Sequence, residues 1–167
     1  DRRDLSSGDV RGVCDVVRPD GPRRVYEPAF WRTLRFLRLE IETADRPMTI
    51  EGLTLRFTGY PFEPLARVET SDPTTSAVWD ISWRTARCCA HETYEDCPYY
   101  EQLQYGGDTQ IQAMVSYAVA GDASLGRQFL YQFDWSRRPD GLTRSRYPSR
   151  VAQQIPLFSP HWICALQ

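Results

Sequence analysis

Apolar and polar side chains alternate with a period of two through the first part of the chain. In LRFLRLEIE, Leu37, Leu39 and Ile41 alternate with Arg38, Glu40 and Glu42, and in IEGLTLRFTGY, Leu53, Leu55 and Phe57 alternate with Thr54, Arg56 and Thr58. Period two places every second side chain on one face, so the span from Arg23 to about Arg67 predicts β-strands with one dry face each. TADRP supplies turn residues between them, and PFEP ends the second strand because proline has no ladder N–H to give. Two or three strands cannot bury a face by themselves, so this part is expected to be the edge of a larger antiparallel sheet or sandwich.

After Ser71 the period lengthens. Asp72-Pro73 reads as an N-cap followed by proline at the first helical position. Ala77, Val78, Ile81 and Ala86 then recur at helical spacing, with Trp79 and Trp83 one turn apart, predicting a helix from about Pro73 to Ala90. A second helix is expected to begin near Asp108, carry Ile111, Met114, Val115 and Ala118, and stop at Gly121. A third takes Asp122 as its cap and carries Leu125, Phe129, Leu130 and Phe133, so these two form a helical hairpin. RPDGLTRSRYPSRVAQQIPLF has no sustained period and reads as a long ordered loop, after which Ser159-Pro160 caps another helix. That helix has barely made two turns at Gln167, and His161, Trp162, Ile163 and Leu166 still offer apolar surface. The chain is therefore expected to be a piece of something longer.

Composition narrows the classes. With 167 residues, 41% of them hydrophobic, the chain can build a core, and a net charge of −2 with dispersed Lys and Arg argues against nucleic acid as a partner. No run approaches the roughly 18 residues of a membrane span, and DRRDLSSGDV has no apolar signal core. The expectation is a soluble protein, cytoplasmic or exported, with no membrane partner. Cys14, Cys88, Cys89, Cys97 and Cys164 form no CxxC pair, which makes zinc improbable, and Cys88-Cys89 reads as small buried side chains in a helix. No metal and no cofactor are expected.

The predicted first and second helices are joined by ETYEDCPYYEQLQYGGDTQ, which crowds five carboxylates among four tyrosines. A helix-to-helix connector of about 16 residues is functional or disordered, and its aromatic content argues against disorder. Asp96, Glu101 and Asp108 stand five and seven residues apart, with Pro98 breaking any helix between them and Gly106-Gly107 permitting close backbone approach. Carboxylates beside rings suit sugars: the C–H faces of a pyranose stack on aromatics and its hydroxyls donate to carboxylates. Such surroundings also raise a carboxyl pKa, as protonation of a glycosidic oxygen requires. The plainer alternative makes Asp108 an N-cap, Asp96 an Asx-turn former and Glu101 a solvated side chain.

DCPYYEQLQYGGD resembles the acidic motif of the α-L-rhamnosidases, glycoside hydrolase family 78, with Asp96, Cys97, Pro98, Glu101, Gly107 and Asp108 in register. VYEPAFWRTLRFLRLEIE is similar to the segment just ahead of that family's helical domain, and PDGLTRSRYPS and PLFSPHWI are similar to segments that follow its motif. The resemblance implies a mixed β and α chain. Residues 1–70 would be the C-terminal part of an antiparallel β-sandwich-like domain, and residues 71–167 the opening helical hairpins of an incomplete (α/α)6 six-hairpin glycosidase barrel. It implies inverting hydrolysis of terminal α-L-rhamnosides, with Glu101 as general acid and Asp96 and Asp108 holding sugar hydroxyls. Tyr105 would contact the sugar where the family usually has a tryptophan. The implied partners are a rhamnose-containing glycoside or oligosaccharide and the rest of the parent chain.

The departures are local. The family often flanks the acidic Glu with Arg, whereas here Tyr100 precedes it and Gln102 follows, so a related six-hairpin glycosidase of different sugar specificity is an alternative. Inversion also needs a general base roughly 6.5 to 9.5 Å from the acid. In the family it comes from a later barrel loop, so these residues alone are expected to be inactive. Asp122 reads as a cap, Asp134 as a surface side chain and Asp140-Gly141 as a turn. Trp79 and Trp83 read as packing, Arg144, Arg146 and Arg150 as solvated, and neither His91 nor His161 as a base. A rival class is a non-catalytic carbohydrate-binding fragment whose acids only hydrogen-bond sugar.

Overall fold

Among the described residues, regular structure begins at the change of period near Asp72. A computed structural model of the chain describes residues 11–166, so the DRRDLSSGDV opening and Gln167 lie outside the described residues. Two units divide the chain, residues 1–56 and 57–167.

In the first unit the expected β-sandwich segment is absent: among the described residues no strand forms, and the fold class is corrected accordingly. The alternation is present in the sequence, but Leu37, Leu39, Ile41, Leu53 and Leu55 are 48–66% exposed. Period two specifies a face and not a partner. A strand exists only when a neighbouring backbone takes up its N–H and C=O groups, and no such ladder closes here. Charged side chains of the unit pair at its surface, Arg23 with Glu51 at 2.9 Å across 28 residues and Arg38 with Glu40 at 2.6 Å, both pairs well exposed.

The second unit is helical. Helix α1 spans Pro73–Cys88, α2 Gly106–Ala120, α3 Ser124–Trp135 and α4 Phe158–Cys164. Asp72 caps α1 by accepting from the Thr74 N–H at 2.8 Å, and Pro73 follows at the start of the helix. Gly121 ends α2 with φ 64, a left-handed cap that glycine adopts without a Cβ penalty. Asp122 is not the cap that its place in the sequence suggests: Ala123 stands at the N-cap of α3 with no side-chain bond, and Asp122, one residue earlier, accepts from Ser124 N at 2.8 Å and from the Tyr60 hydroxyl at 2.9 Å, which ties the α2–α3 hairpin to the residues before α1. Ser159 lies inside α4, which begins two residues earlier than the Ser159-Pro160 cap suggests, with Leu157 at the N-cap. The Ser159 hydroxyl accepts from the Thr143 N–H at 2.9 Å.

The core has two parts. Ala90, Tyr94, Ala113 and Leu125 pack together with Tyr60 and Phe62 against them, and Phe129 meets Phe133 edge-on at 4.6 Å within α3. Trp83 tilts against Phe62 at 5.7 Å and is half-buried, which is packing as expected from its spacing with Trp79. Helix α1 buries no residue completely. Where α2 starts, Gly106 and Gly107 lie so close to Phe133 and Phe158 that a Cβ would meet ring carbons at 2.9 and 2.7 Å. That contact fixes where the acidic loop ends and α2 begins. Among the described residues no helix is long and apolar enough to cross a membrane.

Candidate active site

The connector between α1 and α2 runs from Cys89 to Tyr105. It is held by its own backbone and by the loop after α3. Asp96 closes it at the base: its N–H donates to Leu103 O at 2.9 Å, and its carboxylate accepts from Leu103 N at 3.0 Å. Within that closure Glu101 N donates to Cys97 Sγ at 3.3 Å, and Gln102, at φ 54, donates from its side chain to Pro98 O at 3.2 Å. A bulky residue at positive φ is uncommon, and it turns the chain so that Glu101 and Tyr105 face one another.

Residues 104–106 lie antiparallel to residues 145–147. Gly106 N donates to Ser145 O at 2.9 Å and Tyr147 N to Gln104 O at 3.1 Å, so Tyr105 and Arg146 stand opposite each other. Gln104 is buried and clamps the pair, donating to Tyr147 O at 2.8 Å and to Gln132 Oε1 at 2.7 Å.

Three side chains then converge. The Tyr105 hydroxyl donates to Glu101 Oε2 and accepts from Arg146 Nη1 at 2.9 Å. Arg146 Nη1 is itself 3.9 Å from Glu101 Oε2 and its guanidinium lies over the Tyr105 ring at 5.7 Å. The Glu101 side chain is 51% exposed and that of Arg146 only 16%. Burial, and then the bond to Glu101, push the Tyr105 pKa up, so the phenol keeps its proton and stays a donor. Among the described residues Glu101 Oε1 takes no hydrogen bond. The exposed carboxyl is thus held by one oxygen and offers the other.

The four residues singled out from the sequence therefore divide. Glu101 and Tyr105 are in direct contact. Asp96, half-buried, uses its carboxylate on the backbone of Leu103, while Asp108 is exposed in the first turn of α2, where a carboxylate suits the positive end of the helix dipole. Tyr105 is 9% exposed, its ring edge-on to Phe158 at 6.3 Å with Arg146 across it. Sequence reasoning took Arg146 for a solvated side chain. Only its place in SRYPS, opposite the motif in the folded chain, marks it, and that pairing spans 41 residues.

A second cluster was also passed over. His91 Nδ1 is 3.2 Å from Glu95 Oε1, each side chain only 7% exposed. Burial pushes the Glu95 pKa up to about 7, helped by Glu92 and Asp96, and burial pulls that of His91 down, so both groups move toward their neutral forms. The contact is a carboxylic acid beside a neutral imidazole more than an ion pair. Around it, Gln112 donates to Glu95 O at 2.6 Å and the Tyr94 hydroxyl to Ser116 Oγ at 2.8 Å. The i, i+4 spacing of His91 and Glu95 was visible in the sequence, but the segment is irregular chain and not helix, so helix spacing could not have paired them. Among the described residues no group of His, Cys, Asp and Glu is arranged to hold a metal.

Helical hairpins carrying a half-exposed carboxyl beside a tyrosine and an arginine define a hairpin-built domain with a carboxylate-centred site. Residues 63–167, well over half of the chain, match the family model of the bacterial alpha-L-rhamnosidase 6 hairpin glycosidase domain, and the chain belongs to that family. Among solved structures it is similar to the GH78 family rhamnosidase of Bacillus sp. GL1. The identity is 33% with a TM-score of 0.60, over 64% of this chain and 11% of that one. A curated relative, an uncharacterised PhzA/B-like protein of Pseudomonas aeruginosa, is 40% identical over 70 residues, 41% of this chain and 45% of its own length. The chain thus spans less than half of either relative.

Proposed function

We propose that residues 71–167 form the opening part of a six-hairpin glycosidase barrel that hydrolyses terminal α-L-rhamnosides with inversion, and that Glu101 is its general acid. The observation that carries this reading is the state of the Glu101 carboxyl. It lies inside the span that matches the rhamnosidase domain and reaches solvent. One oxygen takes a hydrogen bond from Tyr105, and the other is left to present a proton. The proton on Oε1 passes to the glycosidic oxygen as the C–O bond breaks, the bonding pair leaves with that oxygen, and Glu101 becomes a carboxylate.

Asp108, seven residues further on and exposed in the first turn of α2, and Asp96, at the base of the loop, supply acceptors for sugar hydroxyls, and Tyr105 borders the same site. Inversion calls for a second carboxylate roughly 6.5 to 9.5 Å away that activates water. We assign that base to another part of a longer protein, as the matched part of this chain covers 11% of the solved rhamnosidase. The ligand is then a rhamnose-containing glycoside.

Glu101→Gln in the full-length protein tests the reading. Turnover of an aryl α-L-rhamnoside with a poor leaving group should fall by about 10²- to 10⁴-fold, the usual contribution of a general acid, while binding of the sugar changes little. Near-normal turnover would refute it. A wild-type protein that binds rhamnosides and turns none over would make the domain a carbohydrate-binding module instead.

A further inference from the structure

The reading of Glu101 as acid leaves open what decides which of its two oxygens carries the proton and what steadies the carboxylate left behind. The Arg146–Tyr105–Glu101 chain answers both. We infer that Tyr105 and Arg146 are positioning residues that act through Glu101, locking Oε2 as the hydrogen-bond acceptor so that the transferable proton sits on Oε1.

The direction of each bond follows from the donors available. A guanidinium has only N–H groups, so Arg146 Nη1 must donate to the phenol oxygen, 2.9 Å away. The phenol then has its one proton left to give, and the group in reach is Glu101 Oε2. An oxygen accepting that bond is the carbonyl oxygen of a protonated carboxyl, which leaves Oε1 as the O–H. Once the proton has gone to the leaving group, the same bond and the guanidinium, 3.9 Å from Oε2, face a full negative charge. The interaction is therefore stronger after proton transfer than before it, which is the condition for an interaction to favour the chemical step.

The relay is built on rigid parts. The hydrogen bonds of residues 104–106 with 145–147 set Arg146 opposite Tyr105, and the buried Gln104 holds both segments. Phe158, from α4, closes the ring edge of Tyr105. The bond to Tyr105 is the one hydrogen bond that the Arg146 side chain makes among the described residues, and its Nε is buried without a partner. Its guanidinium is therefore committed to the phenol and not to the loop around it. In this arrangement Tyr105 contributes mainly through its hydroxyl, since its ring is covered.

The inference rests on the proposed role of Glu101, and the experiment separates the two. In the full-length protein, Tyr105→Phe keeps the ring and removes only the relay, and Arg146→Met keeps the aliphatic stem and removes the charge. With either variant, kcat for aryl α-L-rhamnosides should fall about 10-fold or more for poor leaving groups and little for nitrophenolate, which departs without a proton. Loss of a donor to the carboxylate should also move the alkaline limb of the kcat–pH profile upward by about half a pH unit or more. An unmoved limb, or an equal loss for all leaving groups, would overturn the relay. Should Tyr105→Phe not fold, as its unfolding curve would show, the Arg146→Met profile decides alone. If Glu101→Gln is fully active on poor leaving groups, the acid assignment fails and the relay with it. If Glu101→Gln is inactive while both relay variants keep the wild-type limb, only the relay fails.

Discussion

Replacing Glu95 with glutamine should make the protein more stable, and the gain should grow with pH. The carboxyl is almost fully enclosed, 3.2 Å from His91 Nδ1, with Glu92, Asp96 and Cys89 as its other titratable neighbours. Burial first, and the two carboxylates next, raise its pKa from 4.5 to about 7. The native state thus keeps a proton that the unfolded chain gives up. The stabilisation from Glu95 is complete below pH 4.5, declines as pH rises, and is gone above about pH 7. At about 1.4 kcal/mol for each tenfold change, the difference amounts to roughly 3 kcal/mol. Glutamine has the shape of the protonated acid and no charge to desolvate. His91 has the opposite sign: its lowered pKa gives stability that is present above pH 6.5 and lost as pH falls. That slope is common to both proteins and drops out of the difference. Urea unfolding followed by circular dichroism at pH 4.5, 6, 7 and 8 should show the two proteins nearly equal at the acid end, with the variant ahead by about 2 to 3 kcal/mol at pH 8. A difference that does not change with pH, or a wild type that is the more stable at pH 8, would refute the account of a proton held by burial.

Two further outcomes test the packing around the same loop. Gly106→Ala would put a methyl group 2.9 Å from Phe133 Cε1 and 3.3 Å from the Phe158 carbonyl, and Phe133 is fully buried and cannot yield. A loss of about 1 to 3 kcal/mol in urea unfolding is expected, with no loss refuting the close approach. Cys89, whose thiol is pushed up from 9.0 to about 11 by burial and then by Cys88 and Glu95, should be alkylated at pH 8 roughly 100-fold more slowly in the folded protein than in the urea-unfolded chain. Peptide mass spectrometry after timed iodoacetamide labelling measures the ratio.

What could be read along the chain was local. The Asp72-Pro73 start, the Gly121 stop and the separate turns at Asp122 and Asp140 follow from side-chain and backbone chemistry within a few residues, and the structure has each of them. The helix starts at Gly106 and Phe158 fell outside that reach because they depend on packing between α2, α3 and α4. The expected strands failed for a related reason. Alternation in LRFLRLEIE is a local property, while a sheet is a pairing between distant backbones, and Leu37, Leu39 and Ile41 there stay about half-exposed.

For the site, the motif alone marked Glu101, and residue chemistry alone said that an acid beside a ring suits a sugar. The sequence by itself thus determined that helices follow Ser71, the glycine pair that permits close packing and the carboxyl at residue 101. Tertiary structure decided the partners. Arg146 reaches Tyr105 because two short segments hydrogen-bond side by side, and His91 meets Glu95 because an irregular loop folds both inward. Contacts across many residues depend on how the chain returns on itself, and a reading of neighbours in sequence carries no information about that return.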